Sequence, residues 1–147
     1  MTLIHTNNIS VHLCYSWQNK NNNLSELLYK EESYTIIGKC MEVHNQLGHG
    51  FAEVIYKDAL TIEFENEGIE YEREKEYDVI YKGHILPRKY HADFVVFNKI
   101  ILEVKCVALL TDEHYSQVIN YLKVSGNKLG LLVNFSRNKL ETKRIIY

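Results

Sequence analysis

Two apolar segments joined by a short polar turn run from Tyr90 to Cys106 (YHADFVVFNKIILEVKC), and they carry Asp93, Glu103 and Lys105 inside them. Strands this rich in Val, Ile, Leu and Phe are normally covered on both faces. An unpaired charge in such a place costs folding free energy, or the pKa of the group shifts so that the group is neutral. A fold that buries this hairpin must therefore compensate three charges.

The spacing of these charges predicts the form of the turn. Glu103 and Lys105 are two positions apart, so their side chains leave the same face of a strand. A two-residue turn at Asn98 and Lys99 would place Asp93 on the opposite face. A three-residue loop brings it to the same face, and Asn98 can provide the positive φ that such a loop needs. We therefore predict that loop, or a bulge beside it.

The composition indicates an ordinary globular domain. The chain has 147 residues, of which 46% are hydrophobic and 24% charged, and this is enough for a full core. A net charge of −2 argues against a uniformly basic nucleic-acid coat protein but allows a local basic patch. The three cysteines lack metal-site or disulfide spacing, and we find no export signal or membrane span. We therefore expect a cytoplasmic protein.

The polar tract NKNNN separates an Asn-rich leader from a patterned remainder. We predict a poorly ordered extension over residues 1–24 and one domain over residues 25–147. Hydrophobic periodicity in the domain predicts two helices, three strands, a third helix and a strand, with an edge strand at the C-terminus. A helix between the third and fourth strands indicates a parallel crossover. The predicted fold is α/β (α+β), with a mixed four- to five-stranded sheet flanked by helices.

If the predicted turn forms, two carboxylates and one ammonium group meet on one side of the sheet. Such a group can bind a hard divalent cation through oxygen and leave a lysine beside its water. A buried structural ion pair is the alternative reading of the same charges. The residues alone leave both readings open.

Two helix faces carry further candidates. Glu53 and Tyr56 share a face, which by itself is typical of an exposed Glu beside a core Tyr. His114, Gln117 and Tyr121 form a polar face opposite an apolar stripe, and that face could line a groove or simply be solvated.

The motifs GFAEVIY (Gly50 to Tyr56), HADFVV, LEVK, HYSQVINYLK and GLLVNF occur in this order along the chain. With them, residues 24–147 resemble the GxxExxY family of PD-(D/E)XK nuclease-like proteins. The resemblance implies a restriction-endonuclease-like αβββαβ core and a metal-dependent phosphodiesterase site. The departures are mild: Asn98 stands where Gly is common, and His49 where Pro is common.

The resemblance also implies roles for individual residues. Asp93 and Glu103 match the metal-binding carboxylates, and the Val104 carbonyl is a further oxygen ligand for Mg²⁺ or Mn²⁺. Lys105 would orient or deprotonate the attacking water. The remaining catalytic candidates are Glu53, for a second ion or a metal-bound water, and Gln117, for positioning Lys105 or the scissile phosphate. The expected substrate contacts are Tyr56, His114, Tyr121 and Lys123.

We thus expect a metal-dependent nuclease that acts on DNA or RNA, without a membrane partner and with homodimer formation left open. Two alternatives remain. One is an inactive nuclease-fold module that binds nucleic acid or a partner protein, and the other is a hydrolase of a small phosphorylated metabolite.

Overall fold

The computed structural model describes residues 28–147, and the predicted leader, residues 1–24, lies outside the described residues. Two helices come first, α1 (Lys30–Leu47) and α2 (Glu53–Asn66). Three strands follow, β1 (Tyr71–Tyr81), β2 (His84–Val96) and β3 (Ile100–Lys105). The rest consists of α3 (Asp112–Ser125), β4 (Leu129–Asn134) and β5 (Glu141–Ile146). This order of elements is the predicted one, including the C-terminal strand.

The five strands form one mixed sheet in the order β1-β2-β3-β4-β5. β3 and β4 are parallel, because α3 connects them, and the other three neighbouring pairs are antiparallel. The predicted mixed sheet flanked by helices is therefore confirmed.

The core lies on both faces of the sheet, because successive side chains of a buried strand alternate between faces. On β3, Leu102 and Val104 pack in one cluster with the apolar residues of α1 and α2, among them Leu60. Ile101 packs on the other face, in a cluster that contains Val118 of α3. β3 is thus covered on both sides, as its apolar sequence predicts.

Local signals fix the ends of α3. Thr111 is the N-cap, and its backbone N–H donates to Nδ1 of His114 at 2.9 Å in a reciprocal capping box. Gly126 ends the helix with φ of 74°, in the left-handed region that glycine adopts at little cost. The helix therefore begins and ends at residue types that favour a helix start and a helix end.

The β2–β3 turn has the predicted form. Val96 pairs with Ile100, which leaves a three-residue loop between the strands. Asn98 has φ of 55°, and its side-chain amide donates to Glu70 Oε1 at 2.8 Å. Phe97 also has φ of 55°, which the sequence did not indicate.

Candidate active site

Asp93 and Glu103 lie where the β2–β3 ladder ends. The last regular pair is Phe94 with Leu102, and one further step of the same register sets Asp93 across from Glu103. Side chains bond the backbone at this point, because the Val104 N–H donates to Asp93 Oδ2 at 2.9 Å. The Asp93 N–H in turn donates a long hydrogen bond, 3.4 Å, to Glu103 Oε2. The predicted juxtaposition of the two carboxylates is therefore present.

Lys105 extends the group along β3. Its Nζ donates to Glu103 Oε1 at 3.1 Å, and the Glu103 side chain is only 3% exposed. Burial, followed by the nearby charge of Asp93, raises the pKa of Glu103 to about 8, although Lys105 opposes this shift. One ammonium group therefore does not neutralise the carboxylates around it.

Glu53 approaches the same group from the first turn of α2. Burial raises the pKa of Glu53, and the charge of Asp93 adds to the effect, while Lys105 acts against it. These electrostatic interactions place Glu53 beside the carboxylates of the hairpin. Four predicted residues, Glu53, Asp93, Glu103 and Lys105, are thus brought together from three elements, α2, β2 and β3.

Tyr56 holds the turn that precedes Glu53. Its hydroxyl donates to the Gly48 carbonyl at 2.7 Å and accepts from the Phe51 N–H at 3.3 Å. The side chain is fully buried and stacks on Phe135, with 4.6 Å between ring centroids. Because it is inaccessible to a ligand, we leave Tyr56 out of the substrate surface, and we assign it to positioning the start of α2.

Lys57 and Glu74 also belong to this site, although sequence reasoning did not single them out. Lys57 Nζ lies 2.7 Å from Glu74 Oε1 and 2.8 Å from Asp93 Oδ1, and the Lys57 side chain is 12% exposed. Burial lowers the pKa of Lys57, but the hydrogen bonds to Asp93 and Glu74 outweigh it and raise the pKa overall. The one sequence signal was the position of Lys57, four residues after Glu53 on the same helix face.

α3 contributes Gln117 and Tyr121. The Gln117 side-chain amide donates to the Tyr121 hydroxyl at 2.8 Å. Burial raises the pKa of Tyr121, and the charges of Glu103, Asp93 and Glu74 act in the same direction. Tyr121 is thus within electrostatic reach of the carboxylates, and Gln117 is attached to the site through it.

His114 and Lys123 have local roles. His114 takes part in the capping box of α3. Lys123 Nζ lies 5.5 Å from the centroid of the Tyr147 ring, near the other end of that helix. A contact of either residue with substrate stays a prediction.

The charges of the site favour a divalent cation. Four carboxylates (Glu53, Glu74, Asp93, Glu103) interact with only two ammonium groups (Lys57, Lys105), and burial together with this excess of carboxylates raises the pKa of Glu53 and Glu103. Within residues 28–147, no three side chains of His, Cys, Asp or Glu form a ready metal site. An ion bound by the Asp93 and Glu103 carboxylates would therefore also need backbone oxygen and water as ligands. Hard cations such as Mg²⁺ accept such a mixture, so the residues fit one.

A mixed five-stranded sheet flanked by helices, with these charges where the central ladder ends, defines a restriction-endonuclease-like fold. The family model of the PD-(D/E)XK nuclease superfamily matches residues 30–145. The chain therefore belongs to that superfamily.

Other comparisons add little. None of the curated proteins compared with the chain matches it significantly. A solved structure titled "Crystal structure of SSO0001" is similar at 16% identity, over 78% of this chain and 76% of that one. Its TM-score is 0.48, too low to support an inference.

None of the helices among residues 28–147 is both long and apolar enough to cross a bilayer.

Proposed function

We propose that this protein is a metal-dependent phosphodiester hydrolase, a nuclease that acts on DNA or RNA. The observation that carries the proposal is the meeting of Asp93, Glu103 and Lys105 at the end of the β2–β3 ladder, in a buried site that has more carboxylates than ammonium groups. Membership of a nuclease superfamily supports a nucleic-acid substrate.

In this proposal Asp93, Glu103 and the Val104 carbonyl hold Mg²⁺ or Mn²⁺. Such an ion, when bound, lowers the pKa of a bound water and offsets charge on the phosphate. Lys105, hydrogen-bonded to Glu103, orients the attacking water and stabilises the negative charge that develops on the phosphoryl oxygens. Glu53 contributes a further oxygen, for a second ion or a metal-bound water.

Gln117 and Tyr121 form the α3 side of the proposed site. Their mutual hydrogen bond fixes the amide of Gln117, which can then position Lys105 or the scissile phosphate. The electrostatic interaction between Tyr121 and Glu103 supports this placement.

We also assign the chain to the GxxExxY family within the superfamily. Gly50 has φ of 105°, a conformation that favours glycine, and Tyr56 bonds the backbone of the turn on either side of it. Glu53 begins the helix that follows. Gly50 and Tyr56 thus shape the turn before α2, and this structural use of two motif positions supports the assignment.

A second candidate, an inactive nuclease-fold module that binds nucleic acid, is favoured by one observation. Both oxygens of Asp93 already have partners, since Lys57 bonds Oδ1 and the Val104 N–H bonds Oδ2. A lysine that permanently replaced the cation would leave the fold intact and the site without catalysis.

Cleavage assays separate the two candidates. Labelled single- and double-stranded DNA and RNA are incubated with the protein and Mg²⁺, Mn²⁺ or EDTA. We expect cleavage of at least one substrate with metal and none with EDTA. Glu103→Gln should lose this activity, whereas Glu63→Gln, which changes a carboxylate that pairs with Lys39 instead, should retain it.

A folded parent protein that cleaves none of the four substrates would favour the binding module. Cleavage by Glu103→Gln at the parent rate would refute the proposed site. The cytoplasmic location stays a prediction, and homodimer formation stays open.

A further inference from the structure

The Lys57 side chain is the cation nearest to the proposed metal ligand Asp93 from outside the hairpin. It reaches Asp93 from α2, 36 positions earlier in the chain, at 2.8 Å. Both partners are nearly buried, with side chains 12% and 8% exposed. A buried ion pair of this kind is expensive to form and is weak evidence for stability alone.

Glu74 holds the other side of the Lys57 ammonium group. On β1, its neighbours Arg73 and Lys75 pair with Phe94 and Ala92 of β2. The same register places Glu74 opposite Asp93 on the neighbouring strand. Its φ of 52° is unusual for a non-glycine residue inside a strand. Backbone strain of this kind persists where the surrounding structure requires it, and here it accompanies a Glu74 side chain bonded to Lys57.

Lys57 therefore has two carboxylate partners, and only one of them, Asp93, is a proposed metal ligand. If a divalent cation takes Asp93 Oδ1, the ammonium group retains Glu74 and does not lose all its partners. A metal ion could therefore displace the Lys57 ammonium group from Asp93 without leaving it buried and unpaired, because Glu74 would still bind it.

We propose that Lys57, shared between Glu74 and Asp93, is a built-in counter-ion that occupies Asp93 in the metal-free protein and sets the metal concentration at which the site fills. It is a positioning residue, acting through Asp93. The inference rests on the proposed function, because it assumes that Asp93 is a metal ligand.

The test is Mn²⁺ binding, measured by calorimetry on the full chain. Lys57→Met removes a positive charge a few ångströms from the incoming cation, so the Mn²⁺ affinity should rise about tenfold or more. The melting temperature of the metal-free variant should fall, because Asp93 and Glu74 lose their shared cation. Lys57→Gln, which keeps a donor but no charge, should change both quantities in the same directions and provides a milder variant.

Lys39→Met is the matched control. Lys39 is a similarly covered helix lysine, 15% exposed, that pairs with Glu67 at 2.8 Å outside the site. Its loss should leave the Mn²⁺ affinity unchanged, whatever it does to the melting temperature.

Glu74→Gln tests the other half of the proposal. When residue 74 is neutral, Asp93 is the only charged partner of Lys57 that remains, so the ion pair between them should be harder for a metal ion to displace. The Mn²⁺ affinity should therefore fall severalfold. Glu72→Gln makes the same charge change on the same strand, where the carboxylate pairs with Lys75, and should have a smaller effect.

A purely structural ion pair would lower the melting temperature of Lys57→Met but not raise its Mn²⁺ affinity, and that result would overturn the proposal. Unchanged affinity in Glu74→Gln would do the same. If the parent binds Mn²⁺ and Glu103→Gln does not, failure of the Lys57 variants refutes this inference alone. If neither the parent nor Lys57→Met binds Mn²⁺, both this inference and the proposed metal site are refuted.

Discussion

Among single residues, Glu103 shows most clearly how burial and charge act together in this site. Its carboxyl is nearly inaccessible, close to Asp93, and only partly compensated by Lys105. Burial and the Asp93 charge raise its pKa to about 8, whereas the pKa of an unfolded Glu is about 4.3. Between these two values the folded state holds a proton that the unfolded state has released.

This shift predicts a pH dependence for the metal-free protein. The stabilisation from the protonated Glu103 is fully present below the unfolded pKa and is lost as the pH rises through the folded pKa. Glu103→Gln lacks this titration, so from pH 5 to pH 8 its free energy of unfolding should gain about 1 kcal/mol or more over the parent. Urea unfolding in EDTA measures the difference. Parallel pH profiles for the two proteins would show that Glu103 is charged in the metal-free fold.

Tyr56 gives a second prediction at this scale. Tyr56→Phe leaves the Gly48 carbonyl and the Phe51 N–H without their hydroxyl partner, and the loss of such bonds should destabilise the protein by about 1–2 kcal/mol. Urea unfolding measures this. Tyr34→Phe, at a tyrosine that is 66% exposed, is the control and should be close to neutral. A neutral Tyr56→Phe would mean that the turn does not depend on the hydroxyl.

At the scale of elements, the contact between α3 and β4 depends on Gly130. A methyl group built on Gly130 would overlap Cγ1 of Val118, a buried residue of α3, and would also touch Leu122. Buried β-branched side chains have little rotamer freedom, so the helix would have to move. The glycine of the GLLVNF motif therefore allows α3 to pack closely on the sheet and keeps Gln117 and Tyr121 beside the carboxylates.

Gly130→Ala should accordingly destabilise the protein by about 1–3 kcal/mol, the usual cost of overpacking a core. Val118→Ala removes the overlapping Cγ1 methyl group, so the double variant should be more stable than the sum of the two single changes predicts. Urea unfolding of the four proteins gives this coupling energy. Strict additivity would indicate that the two side chains do not compete for the same space.

The elements were predictable where the signal is local. The turn at Asn98 followed from the period of a strand, and the ends of α3 followed from Thr111 and Gly126. The pairing of Lys57 with Asp93 was not predictable, because it depends on how α2 packs across the sheet. The position of Glu74 beside Lys57 was not predictable either, because it depends on both the β1–β2 register and the unusual φ of Glu74.

Two residues that the sequence analysis predicts to contact substrate make local structural contacts in the fold. Tyr56 was expected at the substrate surface, but its buried hydroxyl holds a turn. His114 caps its helix through a hydrogen bond with Thr111. A side chain that can bind a ligand can also bond its own backbone, and the sequence does not tell which partner lies nearer.

At the scale of the whole molecule, the fold brings together charges from separate parts of the chain. The carboxylates come from α2, β1, β2 and β3, and Tyr121 of α3 interacts with them electrostatically. These elements meet beside the point where the β2–β3 ladder ends. A cation there would be held by Asp93 and Glu103, which are buried in the sheet, and ligands fixed in this way provide the preorganisation that catalysis requires.

The central claim, that this site cleaves phosphodiester bonds, is tested most directly by Lys105. Metal binding alone does not need this lysine, but the proposed chemistry does. Lys105→Met should keep the fold and bind Mn²⁺ at least as tightly as the parent, because it too removes a positive charge beside a proposed ligand, yet it should lower the cleavage rate by about two orders of magnitude or more. Lys105→Arg should not restore the rate, because a guanidinium is planar and stays protonated near neutral pH.

The measurement is the rate of Mn²⁺-dependent cleavage of the best substrate by parent, Lys105→Met, Lys105→Arg and Lys39→Met, each purified in the same way. We expect the parent and the Lys39 variant to cleave at similar rates and both Lys105 variants to be nearly inactive. Cleavage by Lys105→Met at the parent rate, in preparations free of contaminating nuclease, would contradict the account.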